Sequence, residues 1–262
     1  MRPNRLRQLL NEKKPSIGTH AGLVSPDVVE IIGRAGGIDY VEFMAEYNPY
    51  SLHDLDNFCR ALELYNMSGM IKIDQKNRAW VAQRAIGSGI QNVLFADPHS
   101  ADEVEECIRV IRAESPISHG EFGSADRRFS GYGLESASRD YVQALDDVVI
   151  GLMIEKEAAV KNIDAILSIK DVDMIVFGGN DYSMSLGKFG QAGSKEVRDV
   201  MKEVFKKALA KGVQPRAEID HPDQAAEFLE LGVTHFAIGT DLFMIYSFIK
   251  ERGGKLRELL GG

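Results

Sequence analysis

One unit recurs along the chain: a segment with apolar residues spaced near i, i+3 and i+4, a glycine near its end, and then a short, almost unbroken apolar run. "VVEIIGRAGGIDYVEFM", "VAQRAIGSGIQNVLF" and "AAEFLELGVTHFAIG" have this form, and "ILSIKDVDMIVFGG" has it with Asp171 in place of the glycine. The first part reads as an amphipathic helix, and the second as a strand covered on both faces, as parallel strands are. Strands are expected at 16–20, 40–44, 70–73, 92–95, 148–154, 174–177, 215–219 and 235–238, with helices between nearly all of them. That alternation predicts a single-domain α/β protein over 1–262, a TIM (β/α)8 barrel. A doubly wound open sheet is the alternative, weakened because no GxGxxG follows the first strand.

Composition narrows the class. The 262 residues are 44% hydrophobic and 27% charged, enough to bury a large core. A net charge of −8 argues against a nucleic-acid surface and for a small-molecule partner. Cys59 and Cys107 lie far apart in helical segments with no CxxC or Cys/His cluster, so both are expected as reduced thiols. The N-terminus lacks the apolar core of a signal peptide, and no apolar run approaches the roughly 18 residues of a membrane span. A soluble, cytoplasmic protein is expected.

On a barrel the chemistry sits at the C-terminal ends of the strands. The second strand end offers Glu46 and Tyr47, the third Lys72 and Asp74, the fourth Asp97 and His99, the fifth Glu155 and the sixth Asp181. Arg216 and Glu218 alternate on the seventh, so both face the interior, either as a structural ion pair or with Arg216 on a substrate carboxylate. Glu155 and Asp181 come from adjacent strands. A hard divalent cation such as Mg²⁺ or Mn²⁺ (with Co²⁺ or Zn²⁺ as other choices) would resolve their repulsion, although either acid could instead cap the helix that follows. The turn Gly178-Gly179-Asn180-Asp181 adds backbone N–H donors suited to an anion. Arg127 and Arg128 occupy a Gly/Ser-rich loop, "GSADRRFSGYG", between the fourth and fifth strands, which either closes over an anionic substrate at the mouth or is an ordinary solvated loop.

From "IGTHAGLVSPDVVEIIGRAGGIDYVEF" to "LELGVTHFAIGTD", and most specifically in "MIEKEAAVKNIDAILSIKDVDMIVFGGNDYSMSLG", the chain resembles the HpcH/HpaI aldolases. These metal-dependent enzymes make or break 2-oxo acid aldols through a pyruvate enolate. The resemblance implies a TIM barrel that exchanges its last helix between subunits, dimers assembled into hexamers, and metal ligation by Glu155 and Asp181. It also implies a 2-oxo acid and an aldehyde as small-molecule partners.

The departures concern proton transfer. Where the family has Asp-Gly-Glu-His after the second strand, this chain has Met44, Ala45, Glu46 and Tyr47, so the Glu is kept and the His base and its Asp are gone. Lys72 stands for the family's Arg, Met153 for its Gln, and Gly87 for an acid before the fourth strand. A tyrosine needs a nearby cation to act as a base, and Lys72 could be that cation or could steady the enolate. His20, His99 and His221 stand at or beyond strand ends as substitutes for the base, His20 foremost. The expectation is a metal-dependent aldolase with catalytic residues Glu46, Tyr47 and Lys72. A binding protein that has lost turnover, or an aldolase using a Lys72 Schiff base, are the competing readings.

Overall fold

The computed structural model describes residues 1–261. Its strands are β1 (Ser16–Ala21), β2 (Tyr40–Met44), β3 (Ser68–Ile73), β4 (Asn92–Phe95), β5 (Val149–Ile154), β6 (Met174–Phe177), β7 (Gln214–Ile219) and β8 (His235–Thr240). All pair in parallel in sequence order, and β8 closes on β1. The expected TIM barrel is therefore the observed fold. β3 begins earlier than the apolar run suggests because Ser68 and Gly69 pair with Tyr40 and Val41; small residues carry the ladder without a hydrophobic signature.

Helices fill the spaces between strands, and several start on side-chain caps. Ser100, Ser138 and Ser194 each accept a backbone N–H of the first turn that follows, and Ser51 forms a reciprocal capping box with Asp54. β3 and β5 are buried along their whole length, as double coverage by helices and barrel interior requires.

Inside the barrel, Tyr40, Met70, Leu94, Val149, Met153, Met174 and Val176 form a packed cluster. The Tyr40 ring reaches across toward β1, where a Cβ on Gly18 would lie 2.3 Å from its Cζ, so only glycine fits there. The N-terminal helix Arg5–Asn11 stoppers the end at which the strands begin. Leu6 joins the interior cluster, and the Asn4 amide donates to Gln91 O, Asn92 Oδ1 and Asp147 O.

This closed end also holds residues 110–138, and here the loop departs from expectation. The segment follows the helix Ala101–Arg109 and precedes the helix Arg139–Asp146 that feeds β5. Segments that leave a helix for a strand lie at the N-terminal ends of the strands, opposite the mouth. Met1's ammonium, beside the stopper helix, pairs with Glu135 at 3.2 Å. Arg128 pairs with Glu63 near the end of the helix Leu52–Leu64. The loop does not cover the mouth.

Among the described residues no helix is long and apolar enough to cross a membrane. The last helix, Asp241–Leu259, leaves Phe243, Ile245, Tyr246, Phe248 and Ile249 exposed, and touches its own barrel at β8 and β1.

Candidate active site at the barrel mouth

The mouth carries two charged clusters at different depths. The deeper one follows from strand alternation: β7 turns Arg216 and Glu218 inward, and β2 turns Glu42 inward between Tyr40 and Met44. Arg216 donates through Nη1 to Glu42 and through Nη2 to Glu218 Oε1 at 2.8 Å. Arg216 and Glu42 are each 1% exposed, so this is a buried ion pair. The guanidinium is thus committed within the barrel, and the substrate-carboxylate role expected for Arg216 is not what its partners allow. Glu42 was not among the residues singled out from the sequence.

His20 joins this cluster. Its Nε2 lies 3.3 Å from Glu218 and 3.9 Å from Glu42, and its Nδ1 hydrogen-bonds the Gly239 carbonyl at 3.0 Å. Burial works to lower the imidazole pKa, but the Glu218 hydrogen bond and the Glu42 charge outweigh it and raise the value. Desolvation would raise Glu218, yet His20 and Arg216 hold it well below the usual carboxylate range. Ion pairing, rather than proximity to Tyr47, defines His20. His99 sits against Glu103 and accepts from Asn162 through its carbonyl, while His221 caps the turn Pro222–Gln224. Asp74 is exposed. The three histidines are thus engaged by Glu218, Glu103 and the 222–224 turn.

The upper cluster brings together most of the residues expected to be catalytic. The Glu46 backbone N–H donates to Lys72 O at 3.2 Å, continuing the β2–β3 ladder past the strand and fixing their relative position. The Lys72 ammonium, 2.8 Å from Glu46 Oε2, also donates to the Tyr47 hydroxyl and lies 4.7 Å from the centre of its ring. Burial would lower Lys72, but the charge of Glu155 and the bonds to Glu46 and Tyr47 raise it above its ordinary value. A Schiff-base lysine must present a neutral amine, so this environment speaks against that reading. Tyr47 is pushed up to about 12, by burial first and with Glu46 adding to it, against the opposing Lys72. At rest Tyr47 is thus a phenol, a proton donor, and it acts as a base only once it has given up that proton.

Glu155 follows directly on β5 and is 4% exposed. Its carboxyl is pushed up to about 7, chiefly by burial, with Asp97 and Asp181 adding and Lys72 and Lys156 opposing. Asp181 lies not in an open turn but in the first turn of the helix Gly179–Ser185, for which Gly178 is the N-cap. The glycine pair starts a helix, and an acid in its first turn suits the helix dipole. Neither acid caps a helix: Lys156 precedes the helix Glu157–Lys161, and neither helix has a side-chain cap. Asn180 is exposed, and its carbonyl accepts from Ser183 Oγ at 2.9 Å.

Gly178 has a stricter role, since a Cβ there would lie 2.6 Å from Glu155 Oε2. The glycine leaves Glu155 room. Among the described residues no three His, Cys, Asp or Glu groups gather to enclose a metal. Two carboxylates with remaining positions left to water and substrate are, however, a usual way of holding magnesium. The buried, undercompensated Glu155, the space beside it and the nearby Asp181 fit such an ion.

Two residues of this cluster carry more than the sequence suggested. Asp97 leaves β4 with φ +54°, a left-handed conformation that Asp tolerates better than most residues. Lys156 places its ammonium 3.2 Å from Asp97 Oδ1 and 2.7 Å from Asp181 Oδ1. Arg127, by contrast, is not at the mouth. Its Nη2 bonds Asp56 at 3.1 Å and Ser88 at 3.0 Å on the outer helices, with its stem against Gly87. The substrate-binding role expected for it falls with the loop's position. Cys59 and Cys107 are free and buried, and burial pushes both thiols up, Cys107 to about 12, so neither is a nucleophile.

Residues 19–247 match the family described as HpcH/HpaI aldolase/citrate lyase. A 5-keto-4-deoxy-D-glucarate aldolase of Shigella boydii serotype 18 is 25% identical over 92% of this chain and 91% of its own. The crystal structure of an HpcH/HpaI aldolase from Desulfitobacterium hafniense DCB-2 superposes with a TM-score of 0.87 at 25% identity, covering 98% of each chain. A more distant barrel is the citrate lyase beta subunit of M. tuberculosis, solved with oxaloacetate and magnesium. It shares the fold at a TM-score of 0.57 and 13% identity, over 87% of this chain and 93% of that one.

Proposed function

From the premise that the chain belongs to the HpcH/HpaI aldolase/citrate lyase family and is a carbon–carbon lyase, we propose that it cleaves or forms the aldol of a 2-oxo acid at the mouth of the barrel. The observation that carries this reading is the convergence of Lys72, Glu46 and Tyr47 on the buried Glu155, with Asp181 beside it.

A divalent cation such as Mg²⁺ or Mn²⁺, held by Glu155 and Asp181, would supply Lewis-acid polarisation of the oxo acid. The chain's own residues do the rest. The Lys72 ammonium, fixed by Glu46, offsets negative charge on the enolate oxygen as the aldol bond breaks. The Tyr47 phenol gives a proton to the enolate carbon and takes one back, through water, from the aldol hydroxyl that becomes the aldehyde carbonyl; in reverse, its phenolate form removes a methyl proton from pyruvate. Gly179 and Asn180 offer first-turn backbone N–H groups to the substrate carboxylate, whereas the N–H of Gly178, expected to join them, is taken by the Ile154 carbonyl at 3.0 Å. The sugar-acid substrate named for the Shigella relative fits this reading, in which the oxo acid is the recognised part and the aldehyde varies.

The test is exchange of deuterium from D₂O into the methyl group of pyruvate, followed by NMR, with chelator-treated protein before and after Mn²⁺ is restored. Metal-dependent exchange that disappears in Asp181→Ala is the expected result. Metal binding without any exchange would favour an oxo-acid-binding protein that no longer turns over.

We also propose that a second copy of this chain covers the apolar row on the helix Asp241–Leu259, which its own barrel leaves in water. Equilibrium sedimentation is expected to give a mass above one chain, and Phe243→Glu combined with Ile249→Glu to reduce it to a monomer. A monomeric parent protein would exclude the arrangement.

A further inference from the structure

Among the described residues Lys156 is the one cation that reaches both Asp97 and Asp181, and the function above gives it no task. It follows Glu155 at the point where β5 ends, with extended backbone at φ −129° and ψ 150°. Neighbouring side chains on extended backbone point to opposite sides, so Lys156 starts away from Glu155 and its four-carbon stem curves round to the acids.

A divalent ion of the magnesium type needs carboxylate oxygens at about 2.0–2.1 Å and tolerates little distortion. One Asp181 oxygen already has an ammonium 2.7 Å away, and the same ammonium lies 3.2 Å from Asp97. Two cations cannot share that oxygen without strong repulsion. With its side chain 26% exposed, Lys156 has a route to solvent, and its stem can swing out while the head stays hydrated.

We propose that Lys156 is a tethered occupant of the cation position at the mouth, which a divalent ion must displace from Asp181 before it binds. The proposal rests on Glu155 and Asp181 being the cation site. It makes metal binding an exchange of one positive group for another: the acids stay compensated when no ion is present, and the ion is held weakly and released readily. Lys156 is on this account a positioning residue, acting on the ion through Asp181.

The experiment is a titration of full-length, chelator-treated protein with Mn²⁺, with the free ion followed by electron paramagnetic resonance. The parent, Lys156→Met and Lys156→Arg proteins are compared. Methionine keeps the stem and removes the charge, so Mn²⁺ is expected to bind about fivefold more tightly, the scale of a partly exposed ion pair. Arginine restores the charge and should bind Mn²⁺ like the parent. Equal or weaker binding by Lys156→Met overturns the proposal, and so does an arginine variant that binds as tightly as the methionine one. If parent and Lys156→Met bind equally well, displacement fails while the cation site stands. If neither binds at all, both readings fail.

Discussion

Lys72→Met is expected to slow deuterium exchange into pyruvate by about 10²–10³-fold, the usual cost of removing one preorganised donor from a developing oxyanion. The ammonium is fixed by Glu46 at 2.8 Å and by the Tyr47 hydroxyl, so it need not reorganise when enolate charge appears. Lys72→Arg should recover part of the rate, because the charge returns on a wider and differently shaped head. Borohydride with pyruvate should leave the mass of the parent protein unchanged, since Lys72 is held as an ammonium. A methionine variant within threefold of the parent would remove Lys72 from the chemistry, and a trapped adduct would restore the Schiff base.

Arg216→Met should act on stability rather than on rate. It strands the Glu42 carboxylate, 1% exposed, without a counter-charge, a change that typically costs about 3–5 kcal/mol. Glu218, whose side chain is 39% exposed, can hydrate and keeps His20 as a partner, so most of the loss comes from Glu42. Urea unfolding gives the measurement. Adding Glu42→Gln to the methionine variant should regain much of the loss, because a neutral amide is easier to bury than a lone charge. A loss below about 1 kcal/mol for the single variant would mean that water reaches Glu42 and that the pair is not sealed.

Sequence alone made the barrel legible because its strands are buried on both sides and announce themselves as apolar runs. Glu155 was legible for the same reason, as an acid directly after such a run. Glu42 was hidden by its surroundings: inside "YVEFM" it looks incidental, and its partner Arg216 lies opposite only once β1 and β8 have closed the barrel. Period-two alternation would have put Glu42 on the same face as Tyr40 and Met44, so a signal was present. Lys156 had none. In "EKE" it reads as a solvated charge, and Asp97 and Asp181 meet it only through the order of β4, β5 and β6.

The loop at 110–138 was misplaced because its position depends on the short helix Arg139–Asp146 that separates it from β5. An irregular segment that follows a strand lies at the mouth, and one that follows a helix lies at the other end. Arg127 went astray with it. Tyr47 was found, but not its protonation state, because the expected effect of Lys72 on the phenol is outweighed by burial together with Glu46.

The stoppered end of the barrel holds a long irregular segment and the first residues of the chain, while the groups proposed for chemistry stand at the open end. Mutational drift can therefore proceed separately at the two ends. Insertions and charge swaps around 110–138 alter the outer wall and leave Lys72, Glu155 and Asp181 where they are. A lineage built on this plan can acquire new surfaces and new neighbours beneath the barrel while its reaction chemistry stays unchanged above.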